Sequence, residues 1–247
     1  MQTFECKNCG HCCSKFGKEK NFLPIYDWEL ESIKKLDTEN KTNTKPTTVF
    51  LDLLTKKYFA VIYGIHNSPC IFLENNKCTI YEKRPFVCRT FPMLWTAKLI
   101  PDRIFDKGCF GFCKNDNSEI FLQSLTKKPY TLKEISAHTK KIYGKCYDHC
   151  LNSNKINLYL TKLLIKLEEK NKIKLKRISY DELTPEIIKS CSPLFDFLID
   201  EEIISENKKN KLTTKFNNLK NLIKLRKNLK PQIKQNPINR KQTNRSN

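Results

Sequence analysis

Cysteine is the residue type in this chain whose spacing points most directly to chemistry. The first cluster lies near the N-terminus and has the sequence Cys6-Lys-Asn-Cys9-Gly-His-Cys12-Cys13. Two residues between cysteines allow both sulfurs to face one metal across a tight turn, and Gly10 permits the backbone geometry that such a turn often demands. The spacing therefore predicts a metal site with thiolate ligands.

The adjacent residues Cys12 and Cys13 restrict how such a site is built. Side chains of successive residues diverge, so we do not expect both to bind one mononuclear ion. Either one is a ligand while the other packs as a small buried hydrophobe, or the two serve different metals. The C-x2-C-x2-C spacing resembles the start of a bacterial ferredoxin run, but the x3-C-P continuation is absent.

A second cluster supplies candidates for the remaining ligands. Its three cysteines are separated by seven and nine residues, and they are Cys70, Cys78 and Cys88. Prolines stiffen the loops that carry them, at positions Pro69, Pro85 and Pro92. Basic residues close by in the sequence are ordinary surface cations or, alternatively, offset the negative charge of the thiolates: Lys77, Lys83, Arg84 and Arg89.

The two clusters together resemble the YkgJ-type CxxCxxCC cysteine-cluster family of zinc- or iron-chelating proteins. The resemblance covers about residues 4–113 and rests on the first cluster followed by Cys70-Ile-Phe-Leu, Cys78-Thr-Ile-Tyr-Glu-Lys-Arg-Pro and Cys88-Arg-Thr-Phe-Pro. It implies a ligand set that comprises Cys6, Cys9, Cys12, Cys13, Cys70, Cys78 and Cys88. Cys109 stands where many relatives have a further cysteine, so we add it to the candidate ligands. The cysteine-cluster region of flagellin lysine N-methylases is similar.

Ligand type alone leaves the metal open, because all-thiolate sites accept zinc as well as an iron–sulfur cluster. Three closely spaced thiolates with a remote fourth are a common arrangement for a cluster such as [4Fe–4S]. The adjacent pair Cys12-Cys13 also suits a polynuclear centre better than a lone zinc ion. We therefore favour an iron–sulfur cluster and keep zinc as the alternative.

The remaining cysteines have weaker spacing. Cys109/Cys113 and Cys146/Cys150 are C-x3-C pairs, and residues i and i+4 of a helix share one face, so each pair is able to donate two ligands. The alternative is that Cys146 and Cys150 are core thiols. His149, next to Cys150, is a candidate nitrogen ligand. Cys191 is isolated, and we expect it to be buried and inert.

The elements that position these residues are predicted from periodicity and turn residues. We expect a helix over 27–36 and a loop over 40–48, whereas 49–65 is either a short hairpin or a buried helix. An amphipathic helix is indicated further on by Ile156, Leu160, Leu163, Leu164 and Leu167. Thr184-Pro185 has the residue types of a helix start.

These elements predict a mainly α fold with an irregular, loop-rich cysteine core, a small α+β content and a helical C-terminal region. We divide the chain into a cysteine-cluster domain over 1–113, a helical region packed on it over 114–206, and a basic, amphipathic and disordered tail over 207–247. The first zone holds nine of the twelve cysteines.

The net charge of +20 is concentrated in the tail, where residues 207–247 contain 13 Lys and Arg and no acidic residue. This placement argues against a nucleic-acid surface on the globular part. The tail itself has an apolar stripe formed by Leu212, Phe216, Leu219, Leu222 and Ile223. We expect any weak anionic partner, whether an acidic protein, nucleic acid or a membrane surface, to bind there.

The N-terminal residues show no charged-then-apolar signal peptide, and the longest apolar stretch, 58–65, is too short to span a bilayer. We therefore expect a cytoplasmic, reducing environment in which clustered cysteines bind metal rather than form disulfides. The leading function is a metal-binding protein whose centre is structural or redox-active. The alternatives are a protein lysine N-methyltransferase-like enzyme and a zinc-stabilised nucleic-acid-binding protein.

Overall fold

A computed structural model describes residue 6 and residues 8–10, 12–14, 22–39, 41–91, 140–141 and 143–228, of which 222–228 are described by backbone alone. Its strands are β1 Leu23–Tyr26, β2 Thr44–Asp52, β3 Tyr58–Ile65, β4 Leu73–Glu74, β5 Lys77–Cys78, β6 Leu175–Ile178 and β7 Ser192–Pro193. Its α-helices are α1 Asp27–Leu36, α2 Phe86–Thr90, α3 Lys145–Glu169, α4 Pro185–Ser190, α5 Leu194–Asp200 and α6 Glu206–Asn228. Short 3-10 helices cover Tyr81–Lys83 and Tyr180–Glu182.

The prediction of a mainly α fold is wrong. About 50% of the described residues are helical and about 20% lie in strands. Four strands pair in the order β1-β3-β2-β6 with antiparallel neighbours, and the short β7 runs parallel to β3. The molecule is therefore an α+β structure built on one sheet.

Of the two alternatives for residues 49–65, the hairpin is confirmed, because β2 pairs with β3. The rest of the sheet was not predicted, and the central hairpin is covered on both faces. Six of the eight residues of β3 are buried, and a strand buried on both sides does not alternate between apolar and polar residues. Pro46, expected in a loop, lies inside β2 where the register with β3 is irregular. Such irregular positions tolerate a residue without a backbone N–H.

Helix predictions made from local signals are confirmed. The predicted helix over 27–36 is α1, and it buries Trp28 and Ile33. The apolar stripe of α3 is buried at Ile156, Leu160 and Leu164. Helix α4 begins at Pro185, and the side chain of Thr184 accepts a hydrogen bond from the amide of Ile187. None of the described helices is long and apolar enough to cross a membrane.

The larger hydrophobic core draws on all three predicted zones, 1–113, 114–206 and 207–247. It combines Tyr26 and Trp28 with Ile156 of α3 and with Leu212 and Phe216 of α6. Phe216 is fully buried and lies 5.7 Å from Trp28 between ring centroids. The first part of α6 is therefore integrated into the core, and the three-zone division stays a prediction.

A buried ion pair attaches α6 to α1. Lys220 donates to Oε1 of Glu29 at 2.6 Å, and only 1% of the Glu29 side chain is exposed. The same carboxylate accepts the Phe86 amide of α2 at 2.9 Å through Oε1 and the Tyr26 amide at 3.4 Å through Oε2. Glu29 thus connects β1, α2 and α6.

Removing the cation of this pair should destabilise the fold. Lys220→Met leaves the Glu29 carboxylate buried without a counter-charge, which costs about 3–5 kcal/mol. Denaturant unfolding of parent and variant measures the loss. Lys211→Met is the control, because Lys211 is an exposed residue of the same helix; equal stabilities of the two variants would contradict the role of the buried pair.

Asp27 should make stability depend on pH. Burial raises the pKa of its carboxyl to about 7, against the pull of the Phe195 amide, which donates to Oδ2 at 3.2 Å. The unfolded chain has a pKa of about 3.9 at this position. The stability associated with the protonated carboxyl is therefore complete below about pH 4 and is lost as the pH rises to about 7.

Asp27→Asn should remove this loss, because the amide is neutral and similar in shape. Between pH 5 and pH 8 the variant should gain up to about 3 kcal/mol over the parent. Denaturant unfolding at a series of pH values measures the difference. Glu31→Gln, which changes an exposed carboxylate of the same helix, is the control and should have the same pH dependence as the parent. If Asp27→Asn also has the pH dependence of the parent, the raised pKa assigned to Asp27 is wrong.

Candidate metal centre

The two cysteine clusters are brought together by three hydrogen bonds between their backbones and side chains. The amide of Cys70 donates to the carbonyl of Cys13 at 3.0 Å. The amide of Cys78 donates to Oδ1 of Asn8 at 2.9 Å, and the Tyr81 hydroxyl donates to the carbonyl of Cys6 at 3.3 Å. The N-terminal loop is therefore docked along the whole segment that carries Cys70 and Cys78.

The β4–β5 hairpin forms the base on which this loop lies. Leu73 pairs with Cys78 and Glu74 with Lys77. The two turn residues, Asn75 and Asn76, both have positive φ, of 47° and 58°, as the tight two-residue hairpin turn requires. This turn holds Cys78 opposite the N-terminal loop.

Gly10 makes the close contact between the loop and the hairpin possible. Its φ is +71°, and a Cβ atom there would lie 2.7 Å from the carbonyl oxygen of Asn76 and 2.6 Å from Cδ1 of Leu73. A side chain at this position would force the two segments apart. Glycine is thus needed for packing as well as for conformation.

Helix α2 positions Cys88. The helix begins after Pro85, and the Glu29 carboxylate accepts the amide of its first residue, Phe86. Cys88 and Cys70 both pack against the smaller core cluster, which contains Ile25 and Ile33. The hydrophobic core and one buried carboxylate therefore fix the Cys88-bearing helix next to the docked loop.

The thiols of Cys12, Cys13 and Cys70 interact directly. Hydrogen bonding with the Cys13 thiol lowers the pKa of Cys12 to about 7 and that of Cys70 to about 7, while the pKa of Cys13 itself is raised. Residues 12–14 form a turn in which the Cys13 thiol interacts with both Cys12 and Cys70. The expectation that Cys12 and Cys13 do not both bind one mononuclear ion stays a prediction. Two of the three thiols, those of Cys12 and Cys70, thus have pKa values near neutral pH.

Cys78 and Cys88 lie within electrostatic reach of Cys12 and Cys70. Burial is the main cause that raises the pKa of Cys78 and, much further, the pKa of Cys88, and the neighbouring thiolates add to it. Arg84 acts in the opposite direction on both. A nearby positive charge favours ionisation of these two half-buried thiols, and a metal ion would supply it.

The other candidate residues are distributed as follows. Cys9 is half-buried in the loop, and Cys109 and Cys113 lie outside the described residues. Cys150 is fully buried on α3 and Cys146 is half-buried. Cys191 is half-buried rather than buried, and desolvation raises the pKa of its thiol to about 12; that it is inert stays a prediction.

His149 faces the Cys88-bearing helix from α3. Its ring lies 6.0 Å from that of Phe86, and its Nδ1 is buried without a hydrogen-bond partner in the described part of the chain. Burial, followed by the charge of Arg89, lowers the pKa of His149 to about 3. The imidazole is therefore neutral.

Two functional contacts were not predicted from the sequence. Asn8 accepts the Cys78 amide and Tyr81 anchors Cys6, although neither is a metal ligand type. The positive φ of Asn8, 53°, is typical of Asn in a tight turn, which the C-x2-C spacing indicates. No sequence signal identifies its partner, which lies 70 positions further along the chain.

Among the described residues, no three side chains of His, Cys, Asp or Glu form a group ready to hold a metal ion. The sulfurs are instead placed as thiols that interact with one another. The assignment of individual cysteines as ligands therefore stays a prediction, which the docking of the two clusters supports.

Comparison with known proteins gives a match to one family. The profile of the family CxxCxxCC, described as "Putative zinc- or iron-chelating domain", matches residues 5–151. The match covers more than half of the chain, includes both cysteine clusters and extends to Cys150. No curated protein and no solved structure matches the chain.

Gly10→Ala should weaken metal binding. The added methyl group would push the loop from the hairpin, at a cost of about 1–3 kcal/mol for overpacking. Elemental analysis of purified protein measures the metal bound per chain. Gly144→Ala is the matched control, because Gly144 also has a positive φ, +48°, but a Cβ there meets nothing within 4 Å. Equal metal contents in the two variants would contradict the role of the close contact.

Proposed function

Because the chain belongs to the CxxCxxCC family of zinc- or iron-chelating domains, we propose that the docked clusters form a single thiolate metal centre. Its ligands are drawn from Cys6, Cys9, Cys12, Cys13, Cys70, Cys78 and Cys88. The function is to hold the metal for a structural or redox role. The resemblance also assigns Cys109 to this ligand set.

One observation carries this proposal: the N-terminal loop is attached to the second cluster at Cys13–Cys70, Asn8–Cys78 and Cys6–Tyr81. These contacts join segments about 60 to 75 positions apart in the sequence, and each involves a candidate ligand. Loops with few apolar residues rarely hold such a geometry by themselves, whereas a bound metal contributes folding free energy directly.

The donor set fits zinc and iron in its chemistry. Thiolates are soft ligands that select zinc and iron–sulfur clusters over hard cations such as Mg²⁺ and Ca²⁺. Burial, together with the neighbouring cysteines, raises the pKa of Cys88 well above its usual value, and a metal ion would compensate the thiolate charge there. Binding should therefore release protons, and it should be favoured as the pH rises.

We favour an iron–sulfur cluster over a lone zinc ion. Cys12 and Cys13 both turn their thiols toward neighbouring sulfurs, and Cys13 links Cys12 to Cys70. The seven candidate cysteines exceed the four ligands that a tetrahedral ion takes, and a polynuclear centre would use more of them. Such a cluster, when bound, supplies one-electron redox chemistry.

The basic tail offers a separate surface for an anionic partner. Lys208, Lys211 and Lys215 are exposed on α6, whereas Lys220 is used inside the protein. Each exposed lysine near an anionic surface contributes about 1 kcal/mol. We keep an acidic protein, nucleic acid or membrane surface as the proposed weak partner of this helix and the residues after it.

The proposed centre is tested by purifying the protein without oxygen and measuring its metal content and absorption spectrum. An iron–sulfur cluster gives a brown protein with broad absorption near ~400 nm, and zinc gives a colourless one. Protein that contains neither zinc nor iron after such purification would contradict the proposal.

Single substitutions test the ligands. Cys9→Ser, Cys78→Ser and Cys88→Ser should each lose most of the bound metal, because serine is similar in size but does not supply an anionic soft ligand at neutral pH. Cys191→Ser is the control and should keep the parental metal content. If all four variants bind metal like the parent, the assignment of ligands is wrong.

A further inference from the structure

Arg84 lies among the candidate ligands but is not one of them. Its Nη1 donates to Sγ of Cys6 at 3.5 Å. Its guanidinium group stacks on the ring of Tyr81, with Cζ 3.7 Å from the ring centroid, and the hydroxyl of the same tyrosine holds the Cys6 carbonyl. Arg84 and Tyr81 thus form one unit that faces the N-terminal loop.

One donor of this guanidinium has no acceptor. Nε of Arg84 is buried and makes no hydrogen bond in the part of the chain that the structure describes. A buried donor without a partner costs about 1–3 kcal/mol, and more when it is charged. Because leaving Nε unpaired is costly, we expect it to find a hydrogen-bond acceptor when the metal site is occupied.

The other basic residues of this segment are either exposed or used in other contacts. Lys77 and Lys83 are exposed. Arg89 donates from Nε to the carbonyl of Arg84 and from Nη2 to the carbonyl of Glu82, so it holds the backbone that carries Arg84. The charge of Arg84, by contrast, acts on Cys12, Cys78 and Cys88 at once.

We infer that Arg84 is a positioning and charge-compensating residue of the metal centre, with its guanidinium donating hydrogen bonds to the sulfur atoms around the metal. The inference rests on the proposed function and adds a role for a residue that is not a ligand. A metal surrounded by several thiolates carries net negative charge, whether it is zinc or a cluster. A fixed, half-buried cation reduces that charge, and the planar fork of arginine offers several N–H groups to the sulfurs.

This role predicts how the centre responds when the charge is removed. Arg84→Gln should release its metal to a competing chelator about 10–100-fold more readily than the parent, as is typical when a residue behind the ligands is lost. If the centre is an iron–sulfur cluster, its reduction potential should shift to a more negative value, because reduction adds an electron that the missing cation no longer stabilises. A purely structural role of Arg84 would not move the potential in the metal-loaded, folded protein.

Two further variants separate charge from hydrogen bonding. Arg84→Lys keeps the positive charge but loses the planar set of N–H donors. Its metal retention should therefore lie between those of Arg84→Gln and the parent, and its reduction potential should lie close to that of the parent. Lys83→Gln removes an exposed cation one position away and should behave like the parent. Denaturant unfolding of each variant in the metal-loaded state separates loss of metal from loss of fold.

Each outcome decides between the two proposals. A parent protein without zinc or iron overturns the metal centre and with it the role of Arg84. A metal-loaded parent whose Arg84→Gln variant retains metal and potential like Lys83→Gln overturns the inference alone. Should Arg84→Gln fail to fold, Arg84→Lys decides: parental chelator resistance in that variant contradicts the hydrogen bonds to sulfur, and intermediate resistance supports them.

Discussion

The carboxylate of Glu29 is the interaction on which the arrangement of this protein depends. It accepts hydrogen bonds from the amides of Tyr26 and Phe86 and from the ammonium group of Lys220. A carboxylate that is 1% exposed is tolerated only when it is paired and hydrogen-bonded. Because its three partners belong to the first strand, the Cys88-bearing helix and the last helix, satisfying this one charge sets the positions of all three.

Glu29 and the hydrophobic core hold only part of the candidate metal centre. The core and Glu29 hold Cys88, whereas Cys6, Cys12 and Cys13 lie on a loop that is attached by hydrogen bonds to the hairpin of Cys78. Glu29 and the core therefore hold one part of the candidate ligands, and the N-terminal loop carries the other part. Metal binding would join the two, and its free energy adds to the stability of the loop.

Electrostatics would determine which metal the candidate cysteines bind. Burial opposes ionisation of Cys78 and Cys88, and each thiolate opposes the ionisation of its neighbours. A dication or a cluster compensates most of this cost, and Arg84 compensates part of the remainder. The proposed site would combine soft ligands with a fixed cation, and such a site favours a metal surrounded by several thiolates over a hard cation.

Several features of this protein were determined by the sequence itself. The spacing of Cys6, Cys9 and Cys12 and the family resemblance indicated the metal chemistry, and local periodicity predicted α1 and the apolar face of α3. These features need only short-range information, because turn geometry and helical faces are set by residues within a few positions of one another.

The tertiary structure alone decided the sheet, the role of α6 and the surroundings of the sulfurs. β3 is covered on both faces, so its sequence shows little alternation, and a buried helix fitted residues 49–65 as well as the hairpin that the structure has. Nothing in the sequence around Lys220 indicates that it is buried, because its partner, Glu29, lies 191 positions away. Asn8 and Tyr81 acquire their roles through contacts across about 70 positions. Pairings over such distances depend on how the whole chain packs, and no local pattern in the sequence records them.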